Sequence, residues 1–136
     1  DSNKHIVYYQ RAKDCYNSIK VLQIVFYDDE IKPDYLKEFS IKNFDVLFML
    51  YSIGVISLIN CLTIKNFGEK AKDHKDLSLY KMLKNIYPEI SSFDRVVNEI
   101  NNIKNSSEYG DKYYSINKVL DIDVLNRFIQ FTEEKI

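Results

Sequence analysis

From Val46 to Ile64 the chain runs for 19 residues without a formal charge. Such a run has two physical homes. The hydrocarbon core of a bilayer takes an apolar helix of about 20 residues. The middle of a helical bundle takes a helix that its neighbours cover on most sides. Ser52, Gly54, Ser57, Asn60 and Thr63 interrupt this run, and acidic as well as basic residues flank it. A central helix of a soluble domain fits that pattern better than a membrane span, and no membrane partner is expected.

A buried central helix needs cover, and the rest of the chain must supply it. At 136 residues there is room for one domain, residues 1–136. A chain of this length buries roughly two thirds of its unfolded surface, enough for a continuous core without staples. Only three glycines and two prolines are present. All-β folds spend both freely in tight turns, so their scarcity favours a few long helices. The expected fold is all-α, an up-and-down bundle of four to five helices.

Apolar spacing places those helices. The first is expected over His5–Asp28, with Tyr9, Ala12, Tyr16, Ile19, Leu22 or Gln23, and Phe26 on one face. Pro33 stops and restarts the pattern, and Asp34 is positioned to cap the next helix. That second helix is expected over Tyr35–Phe67, with an interruption near Ser40, ending at Gly68 in a left-handed cap. Within it Gly54, Ser57 or Leu58, and Cys61 make a stripe of small groups that lets another helix approach closely. Intrachain packing is the preferred reading of that stripe, a dimer seam the alternative.

A third helix, capped by Asp76 and running to Tyr87, would turn Leu77, Tyr80, Leu83 and Ile86 or Tyr87 inward before Pro88 ends it. Ser91 or Ser92 should open a fourth, with Phe93, Val96, Val97, Ile100, Ile103 and Ser107 inward and Gly110 at its end. A last helical region is expected over Ser115–Glu134, with Asp121 and Asp123 marking a break. Its inner face would be Ile116, Val119, Leu120, Leu125, Phe128 and Ile129.

Charge narrows the function classes. The net charge is -1, whereas nucleic-acid binders usually show a basic excess or a concentrated basic face. The most basic stretch, Lys65 to Lys84, sets six lysines against Glu69, Asp73 and Asp76. A solvated face is the expected reading, an RNA-binding patch the alternative. Cys15 and Cys61 lie in apolar helical runs with no CxxC partner, as free buried thiols in a reducing cytoplasm would. Asp1 to Asp14 is polar and mixed in charge, unlike a signal peptide.

Catalytic options are few. His5 has no obvious orienting partner, and His74 sits in a polar loop beside Asp73 and Asp76. HExxH, GxSxG and phosphate-cradling glycine loops are absent. No metal or cofactor is expected. Tyr8-Tyr9 and Tyr113-Tyr114 are doublets, so one member of each should face water or another subunit.

The most informative stretch is Ile103-Lys104-Asn105-Ser106-Ser107-Glu108-Tyr109-Gly110. It comes after the long helix that includes Val46-Leu47-Phe48-Met49-Leu50-Tyr51-Ser52 and a polar loop with His74-Lys75-Asp76-Leu77. In that order of features, over roughly Arg11 to Phe131, the chain resembles the HEPN family (higher eukaryotes and prokaryotes nucleotide-binding domains). The resemblance implies a helical bundle that is commonly a homodimer. Many members are metal-independent ribonucleases, often toxins paired with a nucleotidyltransferase-like antitoxin.

Their signature is an Arg, then Asn or another polar residue, with a His four to six residues beyond. The Arg steadies phosphoryl charge and the His handles a proton. Here Lys104 stands in place of Arg, Asn105 follows, and Tyr109 replaces His. A lysine binds phosphate as a point charge without the guanidinium fork. A tyrosine with a pKa of about 10 is a poor proton shuttle at neutral pH.

The expected function is therefore a non-catalytic HEPN-like domain acting through homodimerisation and binding of a partner protein or nucleotide. One alternative is a ribonuclease with a degenerate site of Lys104, Asn105 and Tyr109, or with His74 brought in. Another is an unrelated helical interaction module with a groove for a partner helix.

Overall fold

A computed structural model describes residues 3–24, 33–38, 45–70, 77–105 and 121–136. The fold is all-α. Five α-helices are described: α1 (Lys4–Leu22), α2 (Asp45–Phe67), α3 (Ser78–Ile86), α4 (Asp94–Asn105) and α5 (Ile122–Lys135). Short 3-10 turns occupy Asp34–Leu36 and Pro88–Phe93.

The charge-free run is the axis of the bundle. Leu47, Phe48, Tyr51, Val55, Leu58 and Leu62 of α2 are buried, and so are Ser52, Gly54, Ser57, Cys61 and Thr63 between them. About 61% of its most apolar window lies inside the fold. The hydroxyls of Ser52 and Thr63 cost little because each bonds its own helix: Ser52 Oγ donates to the Phe48 carbonyl at 2.8 Å, Thr63 Oγ1 to that of Asn60 at 3.1 Å.

Ala12, Cys15 and Ile19 of α1 pack on α2, and Leu125, Phe128 and Ile129 of α5 complete the central core. Gly54 marks a close approach. A Cβ there would lie 3.4 Å from Cys15 Cβ and 3.5 Å from Leu125 Cδ1. The small-residue stripe thus serves packing within the chain.

Local rules explain the ends. Gly68 takes φ of 76° and its amide donates to the Ile64 carbonyl, the left-handed cap that closes α2. Asp121 caps α5, its Oδ1 accepting from the amides of Asp123 at 3.0 Å and Val124 at 3.3 Å. Tyr51 then ties the middle of α2 to that cap, its hydroxyl donating to the Asp121 carbonyl at 2.8 Å. The break expected at Asp121 is this cap.

Several expectations shift. Tyr35 belongs to a 3-10 turn, and Asp34 pairs with Lys37 at 2.6 Å rather than capping a long helix; α2 is described from Asp45 onward. Ser91 and Ser92 do not open α4: Pro88 nucleates a 3-10 turn through Phe93, and Ser92 Oγ donates back to the Glu89 carbonyl. In α3 Leu79 is buried beside Tyr80 and Leu83; of Ile86 and Tyr87, Ile86 is exposed and Tyr87 packs against the core. Phe26, Asp28, Ser40, Asp76, Ser107, Gly110, Tyr113, Tyr114, Ser115, Ile116, Val119 and Leu120 lie outside the described residues.

Candidate functional site

Lys104 and Asn105 form the last two positions of α4, with only their backbone described. His74 and Tyr109 lie outside the described residues.

Four constellations stand out. The first is a polar clamp between α3 and α4. The Tyr80 hydroxyl donates its one proton to Asp94 Oδ1 at 2.7 Å, with the Ile90 carbonyl 3.2 Å from the same oxygen, and Lys84 Nζ meets Asp94 Oδ2 at 2.7 Å. Burial first, then the Asp94 carboxylate, drives the Tyr80 hydroxyl far above the usual tyrosine range. A phenol held protonated against an ion-paired carboxylate fixes an angle between two helices. It offers no proton at neutral pH.

The second lies at the end of α5. Lys135 bonds Glu89 at 3.1 Å and stands 5.6 and 5.4 Å from the ring centroids of Tyr87 and Phe131. Tyr87 meets Phe131 edge-on at 6.0 Å, and its hydroxyl donates to Asn66 Oδ1. Glu89 is held below the ordinary carboxylate range by backbone hydrogen bonding and by Lys135. This cluster joins the Pro88 turn to α2 and α5.

The third is an apolar edge. Val46, Met49 and Ile53 recur at helical spacing on α2 and are 47%, 52% and 40% exposed. Val21 and Ile24, at the end of α1, are exposed as well. A shallow depression of about 500 Å³ lined by Asn17, Ser18, Val21, Leu22 and Leu50 connects the two helices. The sequence carries this signal as charge-free length, but which side of the run stays uncovered is set by packing.

The fourth is a cationic cluster on the first turns of α1. Arg11 Cζ stands 5.0 Å and Lys70 Nζ 5.4 Å from the centroid of the Tyr8 ring. Hydrogen bonding and charge from Lys70, with further charge from Arg11 and Lys4, lower the pKa of the Tyr8 hydroxyl. The spacing of Lys4, Tyr8 and Arg11 is legible as a helix face; the arrival of Lys70 is not. Of the Tyr8-Tyr9 doublet, both half-buried, Tyr9 packs against the core and Tyr8 stands among the cations.

Both thiols are buried and free. Desolvation raises Cys15 above the ordinary thiol value and pushes Cys61 up to about 11, so neither is a nucleophile at neutral pH. Among the described residues no three His, Cys, Asp or Glu side chains gather as a metal site would require. No protein-family model, curated protein or solved structure matches the chain.

Proposed function

We propose that this chain is a non-catalytic, HEPN-like helical domain that works by association, pairing with a second copy through the uncovered edge of α2. The observation that carries the reading is the stripe of Val46, Met49 and Ile53, which α1 and α5 leave partly open to water. Contiguous exposed apolar surface is the usual mark of an interaction face.

The stripe also favours a like partner. It bears no charge from Val46 onward, so a charged ligand finds nothing complementary there. A two-fold axis near Met49 would set Val46 of one copy against Ile53 of the other, burying both in one closed contact. The substitution of Lys104 and Tyr109 into the family's Arg and His positions supports the absence of turnover. The resemblance makes a nucleotidyltransferase-like protein the first heterologous partner to test.

Sedimentation velocity at tens of micromolar should show a dimer. Met49→Glu and Ile53→Glu should give monomers that keep the helical circular dichroism of the parent. A parent chain that is monomeric at that concentration would sink the homodimer. Metal-free cleavage of total RNA that Lys104→Ala or His74→Ala abolishes would overturn the non-catalytic part.

A further inference from the structure

The chain has two methionines, and both thioethers stand open to water. Met49 on α2 is 52% exposed and Met82 on α3 is 46% exposed. The two thiols are the reverse case. Cys15 and Cys61 are buried, and desolvation raises both, so the thiolate is scarce at neutral pH. A peroxide oxidises a thiolate or an accessible thioether. In this fold its sulfur targets are the methionines, not the cysteines.

The two thioethers differ in what surrounds them. Met49 sits between Val46 and Ile53, one helical turn away on either side, at the middle of the apolar stripe. Met82 lies on α3, outside the stripe. The stripe carries no side-chain donor: Val46, Met49 and Ile53 have none. Ser52, one turn from Met49, is buried and has given its proton to the Phe48 carbonyl. Asn17 and Ser18 of α1 open onto Leu50, in the depression beside the stripe.

Oxygen transfer changes the chemistry of that surface. The sulfur lone pair attacks the terminal oxygen of a hydroperoxide and the O–O bond breaks. The proton on the attacked oxygen passes to the leaving one, which departs as water or an alcohol. Sulfur is oxidised by two electrons to a sulfoxide, and the peroxide is reduced by two. An apolar side chain becomes a polar one whose oxygen needs a donor. Against a second stripe it meets only the same three apolar side chains. With α2 read as a face for self-association, we propose that Met49 is a redox switch on that contact, with a hydroperoxide as oxidant. The thioether lets two copies pair, and the sulfoxide parts them. A two-fold contact near Met49 carries the penalty twice, once per copy. Coupling is reciprocal, so pairing also shields Met49 from the oxidant.

The test applies hydrogen peroxide, stopped with catalase, to the whole chain and to Met82→Leu, in which Met49 is the one remaining thioether. Peptide mass spectrometry follows the added oxygen, and sedimentation velocity follows the dimer. In both proteins, one oxygen on Met49 should raise the dimer dissociation constant about a hundredfold, about tenfold for each sulfoxide. Helical circular dichroism should not change, so lost pairing is not lost folding. The two stereospecific methionine sulfoxide reductases, added together, should restore the dimer. In the dilute parent, Met49 and Met82 should oxidise at rates within about twofold of each other. At concentrations where the dimer forms, Met49 alone should slow.

Three results overturn the switch and leave the dimer standing. They are a dimer that survives complete oxidation of Met49, a loss of pairing that the reductases do not reverse, and a ratio of the two oxidation rates that is the same whether or not dimer is present. A parent that is monomeric before any peroxide is added is a different result. It removes the self-association itself, and the switch with it.

Discussion

The seam between α1 and α2 and the corner around Pro88–Phe93 are held together by different physics. At the seam, Ala12, Cys15 and Ile19 meet Gly54 and its buried neighbours; close approach of small groups does the work. At the corner, large rings and charged groups do it. Phe93 stacks on Phe128 with centroids 4.3 Å apart and planes 2° from parallel, and Tyr80, Lys84 and Asp94 form the polar clamp outside them. A seam built on fit should be intolerant of added atoms. A corner built on rings and bonds should be intolerant of removed ones.

The largest effect should come from removing a ring. Phe128 is fully buried and faces both Phe93 and Phe131. Phe128→Ala should cost about 4 kcal/mol, the sum of lost transfer energy and a cavity the rigid neighbours cannot close. Urea unfolding would show it. A loss below about 1 kcal/mol would mean that the corner repacks freely.

The seam gives the opposite experiment. Gly54→Leu should cost about 3 kcal/mol, because the added branches run into Cys15 and Leu125. Gly54→Ala places one carbon at ordinary contact distance and gains about 1 kcal/mol of helix propensity, so its net change should be small. Equal destabilisation by Ala and Leu would show that backbone freedom, and not fit, is what Gly54 supplies.

Alkaline pH probes both regions at once. Burial raises Cys61 at the seam to about 11 from an ordinary 9.0, and it raises Tyr80 at the corner and Tyr51 between α2 and α5 above the tyrosine range. A raised folded-state value means the unfolded chain loses its proton first. The stability these groups contribute is therefore complete below about pH 9 and is lost as pH rises through the folded values. The Cys61 share should approach about 2 kcal/mol by about pH 11. Cys61→Ala should flatten the fall in thermal midpoint between about pH 9 and 11; an unchanged slope would assign the alkaline loss to the tyrosines.

The contrast also explains what can be read from the sequence. The seam announces itself: a charge-free run can only be a covered helix or a membrane span, and the stripe at Gly54, Ser57 and Cys61 reads directly as close packing. The inner face of α4 is equally legible, since Val96, Val97 and Ile100 are the residues buried there. The corner is not. Tyr80, Lys84 and Asp94 meet only because Pro88 starts a 3-10 turn that carries Asp94 back to α3, and short turns leave no periodic signal. Likewise Lys4, Tyr8 and Arg11 share a helix face by arithmetic, but Lys70 comes from another element and no spacing rule delivers it. Of the residues chosen by resemblance, Lys104 and Asn105 are the last two positions of α4, and Tyr109 and His74 lie outside the described residues.

The smallest effect should separate the two halves of the clamp. Tyr80 is buried, so Tyr80→Phe removes a donor that Asp94 Oδ1 cannot replace from water at no cost, and about 1–2 kcal/mol should be lost. Lys84 and Asp94 are each about one-third exposed, at 34% and 31%, and solvent screens much of their attraction. Lys84→Ala should therefore cost no more than about 1 kcal/mol, and the difference should shrink further in about 1 M salt, where the screening length falls to about 3 Å. In the double variant the two losses should exceed simple addition, because Asp94 then keeps neither its phenol nor its ammonium. Additive losses would mean that the two bonds act independently, and that the helix angle at this corner is set by the stacked rings beneath them.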